Sequence, residues 1–233
     1  MSGDLVDTTE MYLKAIYELE EEGVPPLRAR LVERLGQSKP TVSETVARLE
    51  RDGLLSIVGS RTIELSPEGR RQATNVMRKH RLAERLLLDV LNVDWVDIHD
   101  EACRWEHVIS DGVEEKIAEL LSDDLEDPFG NSIPGLGVDG PGIQAAEPSG
   151  LIRVVDFLSE NDDGGTVHLR RIGEVLQTDA GLLKQFQDAG FTSGVEVDIT
   201  RSNEKSWSMH FPSGATIALS PWTQGHLLVE DAS

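Results

Sequence analysis

The order of the elements predicted for residues 7–65 constrains the fold more than any other feature. Apolar side chains recur at helical spacing from a cap at Asp7 to about Glu22, and again over 27–35, where Gly36 ends the pattern. A short turn and a third helix follow. Two helices joined by a short, glycine-containing turn are typical of a helix-turn-helix.

The third helix and the segment after it complete a winged helix-turn-helix. Ser38 can cap this helix with Pro40 in its first turn, where a missing N–H costs little. Two β-prone segments, 54–58 and 61–65, are separated by Gly59-Ser60, a two-residue loop suited to a tight hairpin. In such a domain the second helix of the motif enters the major groove of DNA.

The remainder of the chain changes from helical to β-prone. Helices are predicted over 66–90, 94–109 and 110–121. Residues 122–150 are rich in Gly, Pro and Asp and lose periodicity, which indicates a linker or a long ordered loop. Short strands and a helix near 181–189 then predict a small β-barrel. The strands are expected over 167–170, 195–200, 207–211, 216–219 and 227–229.

Charge is distributed unevenly along the chain. The formal net charge is −20, which by itself disfavours a nucleic-acid partner. From Leu27 to Arg81, however, twelve Arg or Lys residues stand against six Asp or Glu, so this stretch carries +6 and the remainder −26. A basic footprint on an acidic body indicates DNA binding, with an unevenly charged, solvated surface as the alternative.

The third helix presents a set of residues suited to a DNA groove. Small hydroxyl side chains allow close approach, and flanking arginines reach phosphates. Glu44 is the exception, because a carboxylate in the groove accepts a hydrogen bond only from cytosine N4. A three-helix domain used for protein contacts is the alternative. The outward positions are Ser38, Lys39, Thr41, Ser43, Glu44, Arg48 and Arg51.

Residues with metal-binding side chains recur at helical spacing. Imidazole, thiolate and carboxylate groups are together ligands of first-row transition metals. Four of them share one stripe of the helix predicted at 94–109: His99, Cys103, Glu106 and His107. His80 and Glu84 form an i, i+4 pair on the helix predicted at 66–90, so two adjacent sites can be built between these two helices.

Each part of this pattern has ordinary explanations. A single histidine is usually structural or exposed, and a His/Glu pair can be a surface salt bridge. A metal-dependent hydrolase is an alternative of a different class, although no oxyanion hole or substrate motif is evident. A metal-buffering protein without a DNA function is a third, which the basic segment disfavours.

Cellular location follows from what the sequence lacks. No apolar run approaches the roughly 18 residues of a membrane span, and the N-terminus does not read as a signal peptide. Cys103 is the single cysteine, which rules out an internal disulfide and fits a reducing compartment. We therefore expect a cytoplasmic protein with no membrane partner.

Eight runs of the sequence resemble one known family. They are LVDTTEMYL, EEEGV, PLRAR, PTVS, VARLERDGL, VMRKHRLAERLL, HDEACRWEHV and PFGNSIPGL, and they cover most of residues 4–137. They resemble the diphtheria toxin repressor and the iron-dependent regulators. The last third resembles the SH3-like domain of that family less strongly, through 173–177 and the helix after it.

The resemblance implies a mainly α fold with β elements. A winged helix-turn-helix DNA-binding domain would occupy 1–75, and a helical metal-binding and dimerisation domain 76–140. A linker at 141–150 would lead to an SH3-like β-barrel over 151–233. The family works as a homodimer on double-stranded operator DNA, with two dimers per operator as a possibility.

The resemblance also implies two metal sites per subunit. The primary site would use Met11, Cys103, Glu106 and His107. The ancillary site would use His80, Glu84, His99, Glu174 and Gln177. The DNA-binding residues would be Arg28, Ser38, Lys39, Pro40, Thr41, Ser43, Arg48, Arg51 and Arg61.

The function implied is that of a repressor, not an enzyme, that binds palindromic operators of iron-homeostasis genes when Fe²⁺ is bound. Thioether and thiolate ligands suit Fe²⁺, Co²⁺ or Ni²⁺, while Mn²⁺ or Zn²⁺ can substitute. A manganese-responsive repressor on the same scaffold is the alternative. Glu44 replaces the family's glutamine and Lys39 its glycine, so the operator sequence is expected to differ.

Overall fold

The computed structural model describes residues 7–59, 61–121, 126–135, 150–203 and 206–232. They form two compact units. The first is drawn from Met1–Ala83, Ala102–Leu125 and Ile133–Ala145, and the second from Glu84–Glu101, Glu126–Ser132 and Ala146–Ser233. The predicted linker at 141–150 lies outside the described residues except for Gly150.

The first unit begins with the predicted three helices and hairpin. Asp7 caps the first helix by accepting from the backbone N–H of Thr9 at 2.7 Å, and Gly36 ends the second with a φ of 61°. Apolar side chains of all five elements form one buried core. The elements are α1 (Thr8–Glu21), α2 (Arg28–Leu35), α3 (Lys39–Arg51), β1 (Leu55–Val58) and β2 (Thr62–Leu65).

The hairpin differs slightly from the prediction. Strands β1 and β2 are antiparallel, and Val58 pairs with Thr62, so three residues connect them rather than two. The predicted turn residue Ser60 lies outside the described residues. Gly59 has a φ of 55°, a left-handed conformation that glycine adopts without strain.

Three helices follow the hairpin: α4 (Pro67–Arg85), α5 (Ile98–Trp105) and α6 (Asp111–Leu120). Near the start of α4, a Cβ on Gly69 would lie 1.9 Å from the carbonyl oxygen of Leu54, so only glycine fits there. The long helix predicted to Val90 is regular only to Arg85, and a π-helical turn (Leu86–Val90) continues it.

The predicted bounds of α5 and α6 need correction. Helix α5 ends at Trp105, four residues before the predicted end, and residues 106–108 form a turn. Ser110 occupies the N-cap position of α6, but its side chain makes no capping hydrogen bond. The predicted helical stripe therefore contains His99 and Cys103, whereas Glu106 and His107 belong to the turn.

The second unit contains a six-stranded antiparallel sheet with strand order β3-β8-β4-β5-β6-β7. All five predicted strands and the predicted helix near 181–189 are present. The strands are β3 (Ile152–Arg153), β4 (Gly164–Ile172), β5 (Val195–Asn203), β6 (Ser206–His210), β7 (Thr216–Leu219) and β8 (Leu227–Asp231). The helices of this part are α7 (Val154–Glu160), α8 (Glu174–Gln177), α9 (Ala180–Ala189) and α10 (Pro221–Gly225).

The segment Asp127–Ser132 packs against strand β4 in this second unit. Asn131 donates to the carbonyl oxygen of Ile172 at 3.3 Å, and Ile172 donates its backbone N–H to Phe129 at 3.0 Å. A Cβ on Gly130 would lie 1.9 Å from the backbone oxygen of Arg170. This close approach explains the glycine in the PFGN run.

The structure confirms a mixed helical and β fold with a C-terminal antiparallel sheet. Among the described residues, no helix is long and apolar enough to cross a membrane.

Candidate metal centre

The first candidate centre, which we call the Glu106 cluster, comprises Lys14, His80, Cys103 and Glu106 of the first unit. Lys14 Nζ donates to Glu106 Oε2 at 2.7 Å and lies 3.0 Å from His80 Nδ1. Its distance to Cys103 Sγ is 3.9 Å. A carboxylate, an imidazole and a thiol therefore surround one ammonium group.

His80 and Glu106 are in direct contact. The Nδ1 atom of His80 lies 2.6 Å from Glu106 Oε2, and both side chains are almost completely buried. A ring nitrogen serves one partner at a time, so Nδ1 donates to Glu106 when protonated and accepts from Lys14 when it is not. The family resemblance implied that His80 belongs to the ancillary site, so this contact was not predicted.

Glu106 is kept ionised by its neighbours. Burial by itself would raise the pKa of its carboxyl group. The charges of Lys14 and His80, with hydrogen bonds from both, outweigh burial and lower that pKa to about 2. Glu106 therefore carries a buried negative charge, which requires a cation beside it.

His107 extends the cluster toward helix α1. Its Nε2 atom lies 3.4 Å from Glu106 Oε1, and its Nδ1 atom lies 2.7 Å from Glu10 Oε2. Glu10 was not predicted to take part. A carboxylate on the second ring nitrogen fixes the orientation of a ligating histidine, so Glu10 can set which nitrogen of His107 faces Glu106.

Met11 lies between Glu10 and Lys14 on α1. It is half-buried and packs against the core of the first unit. Lys14 is three residues further along, so both side chains lie on neighbouring positions of one helix face. Helix α1 thus brings a thioether and an ammonium group to the same side.

The second candidate centre, which we call the Glu84 cluster, comprises Glu84, His99 and Glu174 of the second unit. His99 Nδ1 lies 3.1 Å from Glu84 Oε1 and 3.6 Å from Glu174 Oε2. Candidate ligand atoms of the three lie within 4.8 Å of one another, and all three residues are buried. His80 is one turn before Glu84 on α4.

Gln177 lies one turn after Glu174 on the short helix α8. Its Nε2 atom donates to the carbonyl oxygen of Ile172 at 2.8 Å. Its buried Oε1 atom has no hydrogen-bond partner in the part of the chain that the structure describes. A buried oxygen without a partner is costly, and a cation would satisfy it. The donor set of imidazole, carboxylate and amide oxygen fits a divalent transition metal.

The grouping of the predicted ligands differs from the prediction at His80, which was assigned to the ancillary site but contacts Glu106 of the primary site. Cys103, Glu106 and His107 belong to the first unit, as do His80 and Met11. Lys14 and Glu10 had no predicted role. Lys14 lies within the continuous buried run of α1 from Tyr12 to Leu19, and this burial is visible only in the folded chain.

The predicted DNA-contacting surface is largely exposed. Arg28 and Arg48 are half-buried, whereas the other seven predicted residues are exposed. The Ser38 hydroxyl caps α3 by accepting from the Thr41 backbone N–H at 3.3 Å, and the two hydroxyl oxygens are 2.8 Å apart. The exposed set is Ser38, Lys39, Pro40, Thr41, Ser43, Arg51 and Arg61.

Much of the basic stretch is neutralised within the first unit. Arg34 forms an ion pair with Glu18 of α1 at 2.9 Å and another with Glu22, the C-cap residue of α1, at 2.5 Å. Arg70 and Arg81 pair with Glu20 and Glu21, Arg78 with Glu114, and Lys79 with Asp111. Among the described residues, four cations of the predicted DNA surface have no ion-pair partner recorded. They are Arg28, Lys39, Arg51 and Arg61.

Two family models match adjoining parts of the chain. The iron-dependent repressor N-terminal DNA-binding domain matches residues 4–63. The iron-dependent repressor metal-binding and dimerisation domain matches residues 66–135. The second match contains every candidate ligand of both clusters except those on α1 and α8.

Curated relatives match over nearly the whole length. The diphtheria toxin repressor of Corynebacterium glutamicum is 54% identical over 217 residues, which are 93% of this chain and 92% of that protein. The iron-dependent repressor IdeR of Mycobacterium leprae is 48% identical over 219 residues, 94% and 90% of the two chains. A solved manganese-dependent transcriptional repressor in complex with manganese is 29% identical, has a TM-score of 0.74 and covers 95% of this chain and 99% of its own.

Proposed function

Because the chain belongs to the iron-dependent repressor family, and is therefore a metal-dependent DNA-binding repressor and not an enzyme, we propose that Fe²⁺ activates it. Its target would be palindromic operator DNA of iron-homeostasis genes. The observation that carries this proposal is the Glu106 cluster, where a buried, ionised carboxylate contacts the His80 imidazole and the Lys14 ammonium group, which itself lies 3.9 Å from the Cys103 thiol.

Four residues would form the primary site: Met11, Cys103, Glu106 and His107. Thioether and thiolate ligands favour later first-row metals over Mg²⁺ or Ca²⁺. When bound, the ion would supply a positive charge beside the buried carboxylate. Glu10 would orient His107 through its 2.7 Å contact with Nδ1.

Five residues would form the ancillary site: His80, Glu84, His99, Glu174 and Gln177. The contacts among Glu84, His99 and Glu174 support this set, as does the unpartnered Oε1 atom of Gln177. His80 also contacts Glu106, so it is the member whose assignment most needs a test. Each subunit would then hold two ions.

The proposed DNA surface consists of the nine residues predicted from the sequence. Arg28, Lys39, Arg51 and Arg61 would contact phosphates, because their charges are not used by recorded ion pairs. The others on α3 would lie in the groove. The dimerisation domain supports a homodimer, in which two α3 helices about one DNA turn apart would read a palindrome. Two dimers per operator would extend the same arrangement.

Helix α1 would couple the metal site to the DNA surface. Met11 and the capped start of α1 belong to the same helix whose buried face packs against α2 and α3. A primary site that includes Met11 would therefore constrain the position of α1 against the DNA-binding helices α2 and α3. Metal and DNA would be reciprocal effectors, typically coupled by about 1–3 kcal/mol.

Fluorescence anisotropy on a palindromic operator of the family and a scrambled duplex tests the proposal. We expect operator-selective binding only when Fe²⁺ is added under anaerobic conditions. Equal affinity with and without metal would contradict the sensor function, and equal affinity for both duplexes would contradict operator recognition. The Glu106→Gln variant is the control that links any metal effect to the proposed site.

A manganese-responsive repressor is the second candidate. Its support is the likeness in fold to a manganese-dependent transcriptional repressor. Cys103 favours iron, since Mn²⁺ prefers oxygen ligands. The same titration with Mn²⁺ decides between them: activation at lower free Mn²⁺ than free Fe²⁺ would favour the second candidate.

A further inference from the structure

We propose that the Lys14 ammonium group is an internal cation of the Glu106 cluster, which a divalent ion must displace from Glu106 in order to bind there. The inference rests on the proposed primary site and adds to it a residue that sets the affinity for metal. Neither the sequence pattern nor the family resemblance assigned a role to Lys14.

The position of Lys14 carries the proposal. Its Nζ atom is surrounded by one atom from each of three side chains that bind metals: Glu106 Oε2 at 2.7 Å, His80 Nδ1 at 3.0 Å and Cys103 Sγ at 3.9 Å. The side chains of Lys14 and Glu106 are only 8% and 4% exposed. This is a buried cation within a set of metal-binding side chains.

An ammonium group and a metal ion cannot use this position together. A transition-metal ion bonds to a carboxylate oxygen at about 2.0–2.2 Å, and a second cation in hydrogen-bond contact with the same oxygen would be strongly repelled in a buried site. Glu106 Oε2 is already the acceptor of a charge-assisted hydrogen bond from Lys14. Binding of the ion therefore requires that this hydrogen bond break.

The lysine also explains how the cluster stays folded without metal. A buried carboxylate with no counter-charge is strongly destabilising. Lys14 supplies that counter-charge from α1, the same helix that carries Met11. In the metal-free protein α1 is held to Glu106 through Lys14, and in the loaded protein it would be held through Met11. On metal binding, the residue that anchors α1 to the cluster would change from Lys14 to Met11, which lies about one helical turn away.

The decisive experiment compares Co²⁺ binding to the full-length wild-type protein and to Lys14→Leu, with binding measured by cobalt–thiolate absorption. We expect Lys14→Leu, which adds no metal ligand, to bind Co²⁺ at least about tenfold more tightly, because no ammonium group has to leave. The metal-free variant should melt at a lower temperature, and added Co²⁺ should raise its melting temperature more than that of the wild type. Lys116→Leu is the matched control, since Lys116 is an exposed lysine paired with Glu119, and it should change neither quantity.

Two further measurements separate the possible failures. If Glu106→Gln binds Co²⁺ with wild-type affinity and absorption, the primary site itself is wrong. If Glu106→Gln loses the site but Lys14→Leu binds Co²⁺ no more tightly than wild type, the site stands and the displacement is wrong. The latter result would mean that Lys14 stays beside Glu106 in the loaded protein.

A measurement on the wild-type protein covers the case in which Lys14→Leu does not fold. Acetylation of each lysine by acetic anhydride can be quantified by mass spectrometry with and without Co²⁺. We expect Lys14 to be labelled several-fold more in the presence of Co²⁺, while Lys116 is labelled equally in both. Protection of Lys14 in both states would overturn the proposal.

Discussion

Arg34 Nη2 lies 2.5 Å from Glu22 Oε2, and both side chains are more than nine-tenths buried. The same guanidinium group binds Glu18, so one arginine of α2 neutralises two carboxylates at the end of α1. Breaking a buried ion pair by removing one partner leaves uncompensated charge in the core. The acidic end of α1 therefore balances the buried positive charge that Arg34 brings from α2.

Arg34→Met should lower the free energy of unfolding by about 3–5 kcal/mol, because Glu18 and Glu22 would remain buried without their partner. Urea denaturation measures the loss. Arg30→Met is the matched control on the same helix, since Arg30 pairs with Glu33 at the surface, and it should cost about 0–1 kcal/mol. Equal losses in the two variants would contradict a structural role for the buried pair.

Met11→Ala should reduce metal activation while the protein stays folded. We expect the free Fe²⁺ concentration at half-maximal operator binding to rise about tenfold or more, as for loss of one ligand or its support. Met11→Leu separates ligation from packing, because leucine keeps the apolar volume but lacks the sulfur atom. A wild-type response of Met11→Leu would mean that Met11 only packs against the core.

His99→Ala should remove the ancillary site and leave the primary site. His99 is the residue that contacts both Glu84 and Glu174, so its loss separates the two carboxylates from their shared imidazole. Elemental analysis after dialysis against Co²⁺ should give one ion per subunit instead of two. His210→Ala, which removes a histidine bound only to threonine hydroxyls in recorded contacts, should keep two. Two ions retained by His99→Ala would contradict the assignment.

Lys39→Ala and Arg51→Ala should each weaken binding to operator and to scrambled DNA alike. Loss of one phosphate contact lowers the slope of log K against log salt concentration by about 0.9. Arg71→Ala is the control, because Arg71 is exposed but forms hydrogen bonds with Glu68 at 2.9 and 2.6 Å. An unchanged slope in Lys39→Ala or Arg51→Ala would remove that residue from the phosphate-contacting set.

Glu44→Gln should change which operator sequence binds best. Glu44 is exposed on the side of α3 that is proposed to face DNA, where a carboxylate would accept from cytosine N4 and glutamine would pair with adenine. Selection of binding sites from a random library should give different preferences at one position of each half-site, with an energy difference of about 1–3 kcal/mol. Identical preferences for the two proteins would show that Glu44 does not contact a base.

Local signals in the sequence located most of the helices and strands, although β3, α7, α8 and α10 were not predicted and the bounds of α5 were wrong. Gly36 ends α2 in a left-handed conformation, and Ser38 caps α3 through its own side chain, as their positions predicted. Such features depend on residues a few positions apart. The family model and the relatives confirm the DNA-binding and metal-dependent repressor function that the residue pattern and the resemblance predicted.

What the sequence did not reveal depends on distant partners. Lys14 meets His80 and Glu106 across 66 and 92 positions of the chain, so no local spacing indicates their contact. The count of basic residues was also incomplete as a guide to DNA binding. Several of those cations pair with carboxylates of α1 and α6, and only the folded chain shows which charges are left for DNA.

His80 is eleven positions after Gly69 on α4, which is close to three full helical turns, so both face the same side of the helix. Gly69 fits against the carbonyl of Leu54 at one end, and His80 meets Glu106 further along. One residue added or lost between them would rotate His80 by about 100°. Natural variation in length among related repressors should therefore spare this stretch and fall in the connecting segments, and α4 sets a fixed register that evolution must preserve.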